Sequence, residues 1–468
     1  MTINGQQSQS TDYCDVINPA TGQGFAQSQQ GNVDELNKAV AAAKLAFKSW
    51  SQTSSAERKE KMLALAGVLE ANMPELMALV TQETGKPMGG LNNVGSGMEV
   101  GGSIAWTQMT AELELAVDVV QDNDSARIEV HRKPLGVIGS ITPWNWPLMI
   151  AIWHIIPALR AGNTVVIKPS EQTPISTLRF VELANEVLPA GVLNIVTGEG
   201  DVGHALTTHK DVSKIIFTGS TETGKRIMSS SSCNLKRLTL ELGGNDAGIV
   251  LPDVDVKTTA NQLFGACFHN NGQTCAALKR LYVHESIYDA VCDEMAKLAK
   301  QVKVGNGLEE GVELGPIQNA KQLQIVIDLA EDAKANGGRF LSGGNKIEGD
   351  GYFFEPTIVA DLTDGSRLVD EEPFGPIVPI IKYSDIDAVI EKANENDAGL
   401  GGSIWSTDIA KATELAKRME CGSVWINNHG AIQPNAPFGG IKQSGFGVEF
   451  GLYGLEECTS IQTLNIPK

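Results

Sequence analysis

The chain has 468 residues and a mass of 49.9 kDa, with 42% hydrophobic and 20% charged residues, a composition typical of a globular protein of two or three domains. Its formal net charge of -19 repels phosphate backbones and anionic lipid, so neither nucleic acid nor a membrane is expected as a partner. The seven cysteines are odd in number, scattered and without a Cys-x-x-Cys pair, which fits neither a disulfide framework nor a zinc site.

The first 133 residues predict an arm, several helices and a hairpin. Residues 1–30, with turn residues at 18–22, indicate an irregular arm. Apolar residues at helical spacing behind polar capping residues then predict helices that begin near Asn32 or Asp34, near Ser55 and at Pro74. The third of these ends before Gly85, and residues 90–114 are weakly helical. Alternation over 115–133 predicts a β-hairpin that is marginal alone and lies against another element.

The sequence predicts neither a secretory signal nor a membrane span. Residues 1–15 lack the basic and apolar regions of a secretory signal. The longest apolar run, 148–159, is too short to span a bilayer. We therefore expect the protein in the cytoplasm.

From residue 134 onward, short apolar runs alternate with helical segments. This alternation is typical of a doubly wound α/β domain, and a second α/β unit follows it. The first unit has predicted strands at 136–141, 164–168, 192–196, 214–218 and 247–251, with helices at 150–160, 176–187, 200–207 and 223–230. The second has strands at 281–284, 377–381, 402–405 and 423–426, with helices at 258–266, 287–301, 320–336 and 386–395. A glycine-rich loop at 437–451 and an edge strand at 460–466 complete the chain.

Two polar turns carry the most reactive side chains. Glu241 lies in Leu240-Glu241-Leu242-Gly243-Gly244, and Cys275 ends the segment Phe268-His269-Asn270-Asn271-Gly272-Gln273-Thr274-Cys275. Most isolated cysteines are small buried hydrophobes, and most glutamates belong to a solvated face. The turn before Cys275 is too polar for a core strand, however, and apolar neighbours should desolvate Glu241 and raise its pKa towards the range of a base. We interpret Cys275 as a nucleophile and Glu241 as its base.

The pattern Glu-Leu-Gly-Gly followed by Phe-x-Asn-x-Gly-Gln-x-Cys resembles the paired signature of the NAD(P)-dependent aldehyde dehydrogenase superfamily, and the resemblance spans nearly the whole chain. It implies a doubly wound, Rossmann-like cofactor domain at 1–114 and 134–243 and a second α/β catalytic domain at 244–443. Residues 115–133 and 444–468 would form a small β-hairpin oligomerisation element and tail, which contacts a neighbouring subunit in a homodimer or homotetramer. The family often has Tyr-Thr-x-x-Lys near its end. This chain instead has Cys458-Thr459-Ser460-Ile461-Gln462, which affects subunit packing rather than catalysis.

Two segments indicate a nucleotide site. Residues 215–225 form a strand, a glycine turn and a helix start, which can aim N–H groups at a phosphate, although a plain tight turn explains them equally well. The segment superficially spells a Walker A loop, but Arg226 replaces the hydroxyl that would bind magnesium. Lys168 and Glu171 follow a predicted strand, where doubly wound sheets bind nucleotides, or they belong to a solvated turn.

The resemblance assigns roles to these segments. Lys168 and Glu171 would contact the adenosine ribose, and the Glu171 carboxylate would repel a 2′-phosphate, so NAD is expected rather than NADP. Glu372, otherwise an acidic turn residue, would hold the nicotinamide ribose, and Phe374 would pack beside the ring. The full implied cofactor set is Thr142, Pro143, Trp144, Lys168, Ser170, Glu171, Gly219, Ser220, Gly224, Leu242, Gly243, Glu372 and Phe374.

Asn145 lies between two tryptophans and is by default a turn former. The matching family position donates its amide to a developing oxyanion. The resemblance therefore implies that the Cys275 thiolate attacks an aldehyde carbon while Asn145 and the Cys275 N–H hold the oxygen. Hydride then passes to the nicotinamide, and Glu241 activates the water that hydrolyses the thioester. No metal is required.

Matching positions give a large apolar substrate pocket, although such residues are equally suited to an ordinary core. No arginine is present among them to pair with a substrate carboxylate, so an aromatic or medium aliphatic aldehyde is expected rather than a semialdehyde acid. The pocket residues are Trp146, Met149, Trp153, Ile432 and Phe438.

Three alternatives stay open. A CoA-acylating relative would use CoA in place of water, but in that branch the position matching Glu241 tends not to be Glu. A thiol hydrolase would pair Cys275 with His269, and it leaves both nucleotide segments unexplained. The third alternative is a non-catalytic nucleotide-binding protein of the same fold. The intact thiol of Cys275, carboxylate of Glu241 and amide of Asn145 argue against it.

Overall fold

The computed structural model describes residues 1–8 and 10–468, and its N-terminal arm contains strands. The prediction of an irregular arm over residues 1–30 was therefore wrong for the described part, and Gln9 lies outside the described residues. These strands are short and only partly buried, so they leave no run of alternating apolar residues in the sequence. They pair as two antiparallel hairpins: β1 (Thr2–Ile3) with β2 (Gln6–Gln7), and β3 (Tyr13–Asn18) with β4 (Gln23–Gln29).

Four helices follow the arm. Asn32, one of the two predicted caps, caps the first, and the second begins at Ser55 as predicted, behind a cap at Ser54 that was not predicted. Asn32 and Glu35 form a capping box at the first helix, as Ser54 and Glu57 do at the second, each worth about 1 kcal/mol. Gly85 ends the third helix with φ +79°, where a Cβ would lie 2.5 Å from Pro316 Cγ. The helices are α1 (Val33–Trp50), α2 (Ser55–Ala71), α3 (Met73–Thr84) and α4 (Ser96–Glu112).

The middle of the chain forms the predicted hairpin and then alternates strands with helices. Its elements are β5 (Asp118–Asp122), β6 (Ala126–Pro134), β7 (Val137–Ile141), α5 (Pro147–Arg160), β8 (Thr164–Lys168), α6 (Ile175–Ala184), β9 (Leu193–Ile195), α7 (Gly200–Thr208), β10 (Val212–Thr218), α8 (Thr221–Ser231) and β11 (Arg237–Glu241).

The remainder adds a second alternating set and a C-terminal strand. Its elements are β12 (Asp246–Val250), α9 (Val256–Phe268), β13 (Leu278–His284), α10 (Tyr288–Gln301), α11 (Ala320–Ala335), β14 (Arg339–Ser342), β15 (Thr357–Ala360), α12 (Arg367–Asp370), β16 (Ile377–Tyr383), α13 (Ile386–Glu395), β17 (Ala398–Gly399), β18 (Gly401–Trp405), α14 (Ile409–Ala416), β19 (Ser423–Ile426), β20 (Ile441–Lys442), β21 (Gly445–Phe446), α15 (Gly451–Glu457) and β22 (Thr459–Pro467).

The first sheet has the order β21-β11-β10-β7-β8-β9 and is parallel except for β21. Buried residues of α2 to α6 pack on one face, and those of α1, α7 and α8 pack on the other, which confirms a doubly wound α/β arrangement. The connection runs from β7 through β8 to β9 and then returns to the opposite side of β7 at β10. The carboxyl ends of β7 and β10 therefore form a topological switch point, where doubly wound sheets bind ligands.

The second sheet has the order β14-β15-β16-β13-β12-β18-β19 and is parallel except for β14. It contains β12, so the predicted strand at 247–251 was wrongly grouped with the first sheet. The strand that belongs to the first sheet in its place is β11, which was not predicted. Its sequence Arg-Leu-Thr-Leu-Glu has a charged residue at each end and lacks the continuous apolar run that is typical of a buried strand. The glycine-rich segment 437–451 was predicted as loop but holds β20 and β21, and β21 extends the first sheet next to β11.

The hairpin joins the C-terminus in a third sheet with the order β22-β6-β5. Nine residue pairs, from Thr459 opposite Pro134 to Pro467 opposite Ala126, connect β22 to β6. The hairpin is thus supported by the predicted C-terminal strand.

Among the described residues, no helix by itself combines the length and the apolar composition of a membrane span, although α2 and α3 together, bent by 71°, meet both criteria.

Candidate active site

The segment that carries Cys275 is folded tightly between α9 and β13. A 3₁₀ turn follows α9, and within it Asn270 and Asn271 have φ of +49° and +57° and Gly272 has φ of +72°. A Cβ on Gly272 would lie 2.2 Å from the carbonyl oxygen of Gly375, so this position requires glycine. The close approach places the Cys275 segment against the loop that contains Glu372 and Phe374.

The surroundings of Cys275 favour the protonated form of its thiol. Burial raises its pKa to about 12, and the carboxylates of Glu372, Asp246 and Glu241 raise it further, while Lys279 opposes them. A thiolate is the reactive form of cysteine. Attack by this sulfur therefore needs a group that removes its proton.

Glu241 ends β11 with its carboxylate buried and without a donor. The residue is 4% exposed, and neither carboxylate oxygen has a hydrogen-bond partner among the described residues. Burial raises the pKa of Glu241 well above its usual value, and the nearby charge of Glu449 raises it further. A raised pKa is what the apolar neighbours of Glu241 in the sequence predict. It suits a carboxylate that accepts a proton near neutral pH.

Lys279 connects the segments that follow these two residues. Its Nζ donates to the carbonyl oxygens of Cys275 and Gly244, the latter at 2.9 Å, and it lies 2.8 Å from Glu372 Oε1. The Gly244 N–H also donates to Glu372 Oε1 at 3.1 Å. The Glu241 and Cys275 segments are thereby held together on one cation, which the sequence analysis missed.

Asn145 lies on the other side of the Cys275 segment. Its Nδ2 donates to the carbonyl oxygen of Gln273 at 3.0 Å, and Trp146 Nε1 donates to Thr274 Oγ1 at 3.1 Å. The Asn145 carbonyl accepts from Lys86 Nζ at 2.8 Å and from Asn270 Nδ2 at 3.2 Å. These bonds fix the loop before α5 against the two residues that precede Cys275.

A buried ion pair supports that loop. Lys86 pairs with Glu99, and its Nζ lies 3.4 Å from the centroid of the Trp146 ring. Glu99 Oε1 also accepts from the N–H groups of Leu148 and Met149, at 3.0 and 3.2 Å, and so satisfies the first turn of α5. The pair therefore anchors the start of α5 next to Asn145.

A cavity of about 410 Å³ opens at Cys275. Four of the five predicted pocket residues line it: Trp146, Met149, Trp153 and Ile432. The fifth, Phe438, packs against Phe450 with ring centroids 6.1 Å apart, in the apolar cluster that also contains Cys275. Sequence reasoning missed the lining residues Trp106 and His429, which lie on distant segments without a motif. Among the described residues that line the cavity, none is Asp, Glu, Lys or Arg.

A second cavity, of about 450 Å³, lies at the switch point of the first sheet. Its polar features suit a ribose and phosphates, because Thr142 Oγ1 is buried without a partner among the described residues and Lys168 Nζ lies 3.6 Å from Glu171 Oε2. Ser220 caps α8, whose first turn faces the same space. The predicted cofactor residues in its lining are Thr142, Pro143, Trp144, Lys168, Ser170, Glu171, Gly219 and Ser220.

The other predicted cofactor residues lie outside the lining of this cavity. Gly224 packs against Leu242, because a Cβ on this glycine would lie 2.6 Å from Leu242 Cδ2. Gly243 packs equally closely against Glu372, because a Cβ on Gly243 would lie 2.4 Å from Glu372 Oε2. Phe374 meets Trp144 edge to face, with ring centroids 5.3 Å apart. This aromatic pair connects the second cavity with the loop that touches the Cys275 segment. The whole set therefore fits a dinucleotide that extends from the switch point towards Cys275.

Two further buried residues near Glu241 were not predicted. Glu449 acts on the Glu241 carboxylate through its charge, and its Oε1 lies 3.2 Å from His154 Nε2. His154 in turn makes contacts of 2.8 Å with Ser140 Oγ and 3.0 Å with Thr218 Oγ1. No motif in the sequence marks Glu449, because it approaches Glu241 only through the folded segment after β21.

Comparison with known proteins agrees with this geometry. The family model described as the aldehyde dehydrogenase family matches residues 6–464. The chain is 41% identical to phenylacetaldehyde dehydrogenase of Pseudomonas fluorescens, and the match covers 100% of this chain and 95% of that protein. It is 39% identical to betaine aldehyde dehydrogenase of Bacillus subtilis, and that match covers 96% of this chain and 92% of that protein. The solved NAD+ complex of an aldehyde dehydrogenase from Bacillus cereus superposes with a TM-score of 0.97 at 35% identity, covering 100% of this chain and 96% of that one. The match over nearly the whole chain and the identity to full-length relatives show that the chain belongs to the aldehyde dehydrogenase family and is an oxidoreductase that acts on aldehydes.

Proposed function

We propose that the protein oxidises a neutral aromatic or apolar aldehyde to its carboxylic acid, with NAD+ as the electron acceptor, Cys275 as the nucleophile and Glu241 as the base. The observation that carries this proposal is the position of the Cys275 segment. Lys279 binds it to the Glu241 segment, and the Gln273 carbonyl binds it to Asn145, at the wall of an uncharged cavity.

The first step forms a bond between the Cys275 sulfur and the aldehyde carbon. Because the thiol is protonated, its proton passes to a base, and the unpartnered carboxylate of Glu241 is suited to accept it. The carbonyl oxygen becomes an oxyanion that accepts from Asn145 Nδ2 and from the Cys275 N–H. Asn145 is held in place for this by Lys86 and Asn270.

The second half of the reaction releases the acid. NAD+, when bound, supplies the acceptor for the hydride that leaves the substrate carbon, which leaves an acyl group on the Cys275 sulfur. Glu241 first releases to solvent the proton that it took from the thiol. It then takes a proton from water as the water attacks the acyl carbon, the carbon–sulfur bond breaks, and the proton passes from Glu241 to the Cys275 sulfur. The balance is aldehyde, NAD+ and water to carboxylic acid, NADH and a proton.

The substrate class follows from the first cavity. Its described lining holds four tryptophans, Trp106, Trp146, Trp153 and Trp405, and no Asp, Glu, Lys or Arg that would pair with a carboxylate or a cation on the substrate. A volume of about 410 Å³ is enough for a benzene ring with a short side chain. The name of the relative from Pseudomonas fluorescens supports the same choice, so we assign an arylacetaldehyde as the preferred substrate.

A panel of aldehydes tests this assignment. NADH formation is followed by absorbance with phenylacetaldehyde, a medium aliphatic aldehyde, betaine aldehyde and a semialdehyde acid, each with NAD+ and with NADP+. The highest kcat/KM is expected for phenylacetaldehyde with NAD+. A preference for the semialdehyde acid or for betaine aldehyde would contradict the substrate class. Hydrolysis of a thioester without cofactor, at a comparable rate and without NADH formation, would favour a thiol hydrolase.

Glu171 is expected to determine the preference between NAD+ and NADP+. Its side chain is 45% exposed at the second cavity, where a carboxylate repels a 2′-phosphate. Glu171→Gln should raise kcat/KM for NADP+ about tenfold, which corresponds to about 1.4 kcal/mol, and lower it for NAD+. Glu199→Gln, which removes a carboxylate from the same cavity, is the matched control. An equal rise of kcat/KM for NADP+ in both variants would show that any loss of negative charge near the cavity has this effect.

Glu449 is expected to set the pH range of the reaction. Its charge contributes to the raised pKa of Glu241, and Glu241 acts as a base only above that pKa. Glu449→Gln removes the charge and lowers the pKa of Glu241, so the rising acid limb of the kcat profile should move to lower pH. The exposed Glu60→Gln is the control. An acid limb that stays in place, or moves to higher pH, would contradict this coupling.

The third sheet supports a proposal about assembly. Its strands leave apolar side chains in solvent, with Val120 63% and Ile461 61% exposed, and a second copy of the chain can cover them. We assign 115–133 and 444–468 to an oligomerisation element, 1–114 and 134–243 to the cofactor domain and 244–443 to the catalytic domain. The assembly is a homodimer or homotetramer, which light scattering coupled to size-exclusion chromatography distinguishes.

A further inference from the structure

A third cavity, of about 420 Å³, shares no lining residue with the other two among the residues that the structure describes. It is enclosed by the first turn of α2, the segment after α4, the end of β6 and the last turn of α5. Its described lining contains four cations and no carboxylate, in a chain whose net charge is -19. The cations are Arg58, Arg132, Lys133 and Arg160.

Arg160 is the central group of this cavity. It is 3% exposed, its Nε donates to the carbonyl oxygen of Ala111 at 3.0 Å, and its Nη1 donates to the Ser55 carbonyl and hydroxyl oxygens at 3.2 and 2.9 Å. Its Nη2 is buried and has no acceptor among the described residues. An unsatisfied N–H of a buried charged group is costly, which points to an acceptor that enters the cavity.

Two of the three neighbouring cations, Arg58 and Lys133, also have no anionic partner among the described residues. Arg58 donates only to the neutral carbonyl oxygens of Arg160 and Thr53 and to the Thr53 hydroxyl. Arg132 is the exception, because it pairs with Glu456 at 3.0 Å. Within the described chain, Arg58, Lys133 and Arg160 have no carboxylate at ion-pair distance. Glu114 and Glu112 act on Arg160 only through their charges.

We infer that this cavity binds a small oxyanion of the phosphate class, held by Arg160 Nη2, the Arg58 guanidinium and the Lys133 ammonium. The buried guanidinium of Arg160 and the half-buried guanidinium of Arg58 present several N–H donors in planar forks that match the oxygens of such an anion, and Lys133 lies exposed at the rim. The cavity is large enough for a phosphorylated metabolite as well as for the free ion. Occupation would satisfy the donor of Arg160 and neutralise charges that the chain itself leaves uncompensated.

Thermal unfolding of the full-length protein tests the site with inorganic phosphate as the probe. Phosphate is titrated at constant ionic strength against chloride, and a saturable rise of Tm is expected, because a ligand that binds only the folded state stabilises it. Lys133→Gln, at an exposed position that leaves the fold intact, should weaken the apparent phosphate affinity about five- to tenfold. Arg160→Lys keeps the charge but removes the fork, and should weaken the affinity at least as much.

The control variant is Lys411→Gln, which removes an exposed lysine of α14 far from the cavity. It should titrate like the wild type. Binding of phosphate in the second cavity would raise Tm equally in the wild type, Lys133→Gln and Lys411→Gln. Only a difference in apparent phosphate affinity between the two lysine variants therefore supports the site. A Tm that does not saturate with phosphate, or equal titrations in both lysine variants, would overturn the inference.

Discussion

Substitution of Cys275 by alanine is expected to lower kcat for aldehyde oxidation by roughly 10⁴-fold or more, because the sulfur forms the bond on which both half-reactions depend. Cys275 supplies the only thiol among the described residues that line the first cavity. The variant should keep the local geometry, since Lys279 and Asn145 donate to main-chain oxygens of the segment, those of Cys275 and Gln273, which alanine preserves. Steady-state NADH formation measures the loss, and a single-turnover experiment with excess enzyme shows whether any hydride is transferred.

The matched control is Cys233→Ala, which removes an exposed thiol that lines neither cavity and should retain full activity. Cofactor binding by the Cys275→Ala variant, followed by fluorescence quenching, should stay close to that of the wild type. A Cys275→Ala enzyme that keeps more than about one hundredth of the wild-type kcat would remove the sulfur from the mechanism.

The fold was predictable where local chemistry and hydrophobic pattern agree. Capping residues located α1 and α2, and the apolar runs of β7, β8 and β10 predicted a parallel sheet because both faces of such strands are buried. The prediction failed for β11 and for the N-terminal hairpins, whose strands carry charged or polar residues. Their pairing depends on neighbouring strands, so the sequence of the strand alone does not reveal it.

The site was predictable only as far as its motifs extend. Cys275 and Glu241 stand in turns with recognisable residues, and the structure brings their segments together through Lys279. Lys279 and Glu449 carry no motif, and their importance arises from contacts between residues distant in the chain. The charge balance around the thiol could not be obtained from the sequence either, because three carboxylates and one lysine act on it from different segments.

Glu241→Gln is expected to separate the two halves of the reaction. Glutamine has nearly the same shape but cannot accept a proton, so the water that attacks the acyl group loses its base, and the steady-state kcat should fall by about 10²- to 10⁴-fold. The first turnover should still produce NADH, although more slowly, because the Cys275 thiol has a pKa of about 12 and must now lose its proton to solvent. The rate of this first turnover should therefore rise with pH. Rapid-mixing absorbance measures both phases in one experiment.

The acyl group itself provides the sharper observation. If hydrolysis is the blocked step, the variant mixed with NAD+ and phenylacetaldehyde should accumulate an acyl adduct whose mass maps to Cys275, whereas the wild type should show little adduct at steady state. Cys233 in the same sample is the internal control, since an adduct there would indicate non-specific modification. Glu449→Gln should show no such accumulation, because it changes the pKa of Glu241 but leaves its carboxylate in place. A Glu241→Gln enzyme with wild-type turnover and no adduct would mean that another group activates the water.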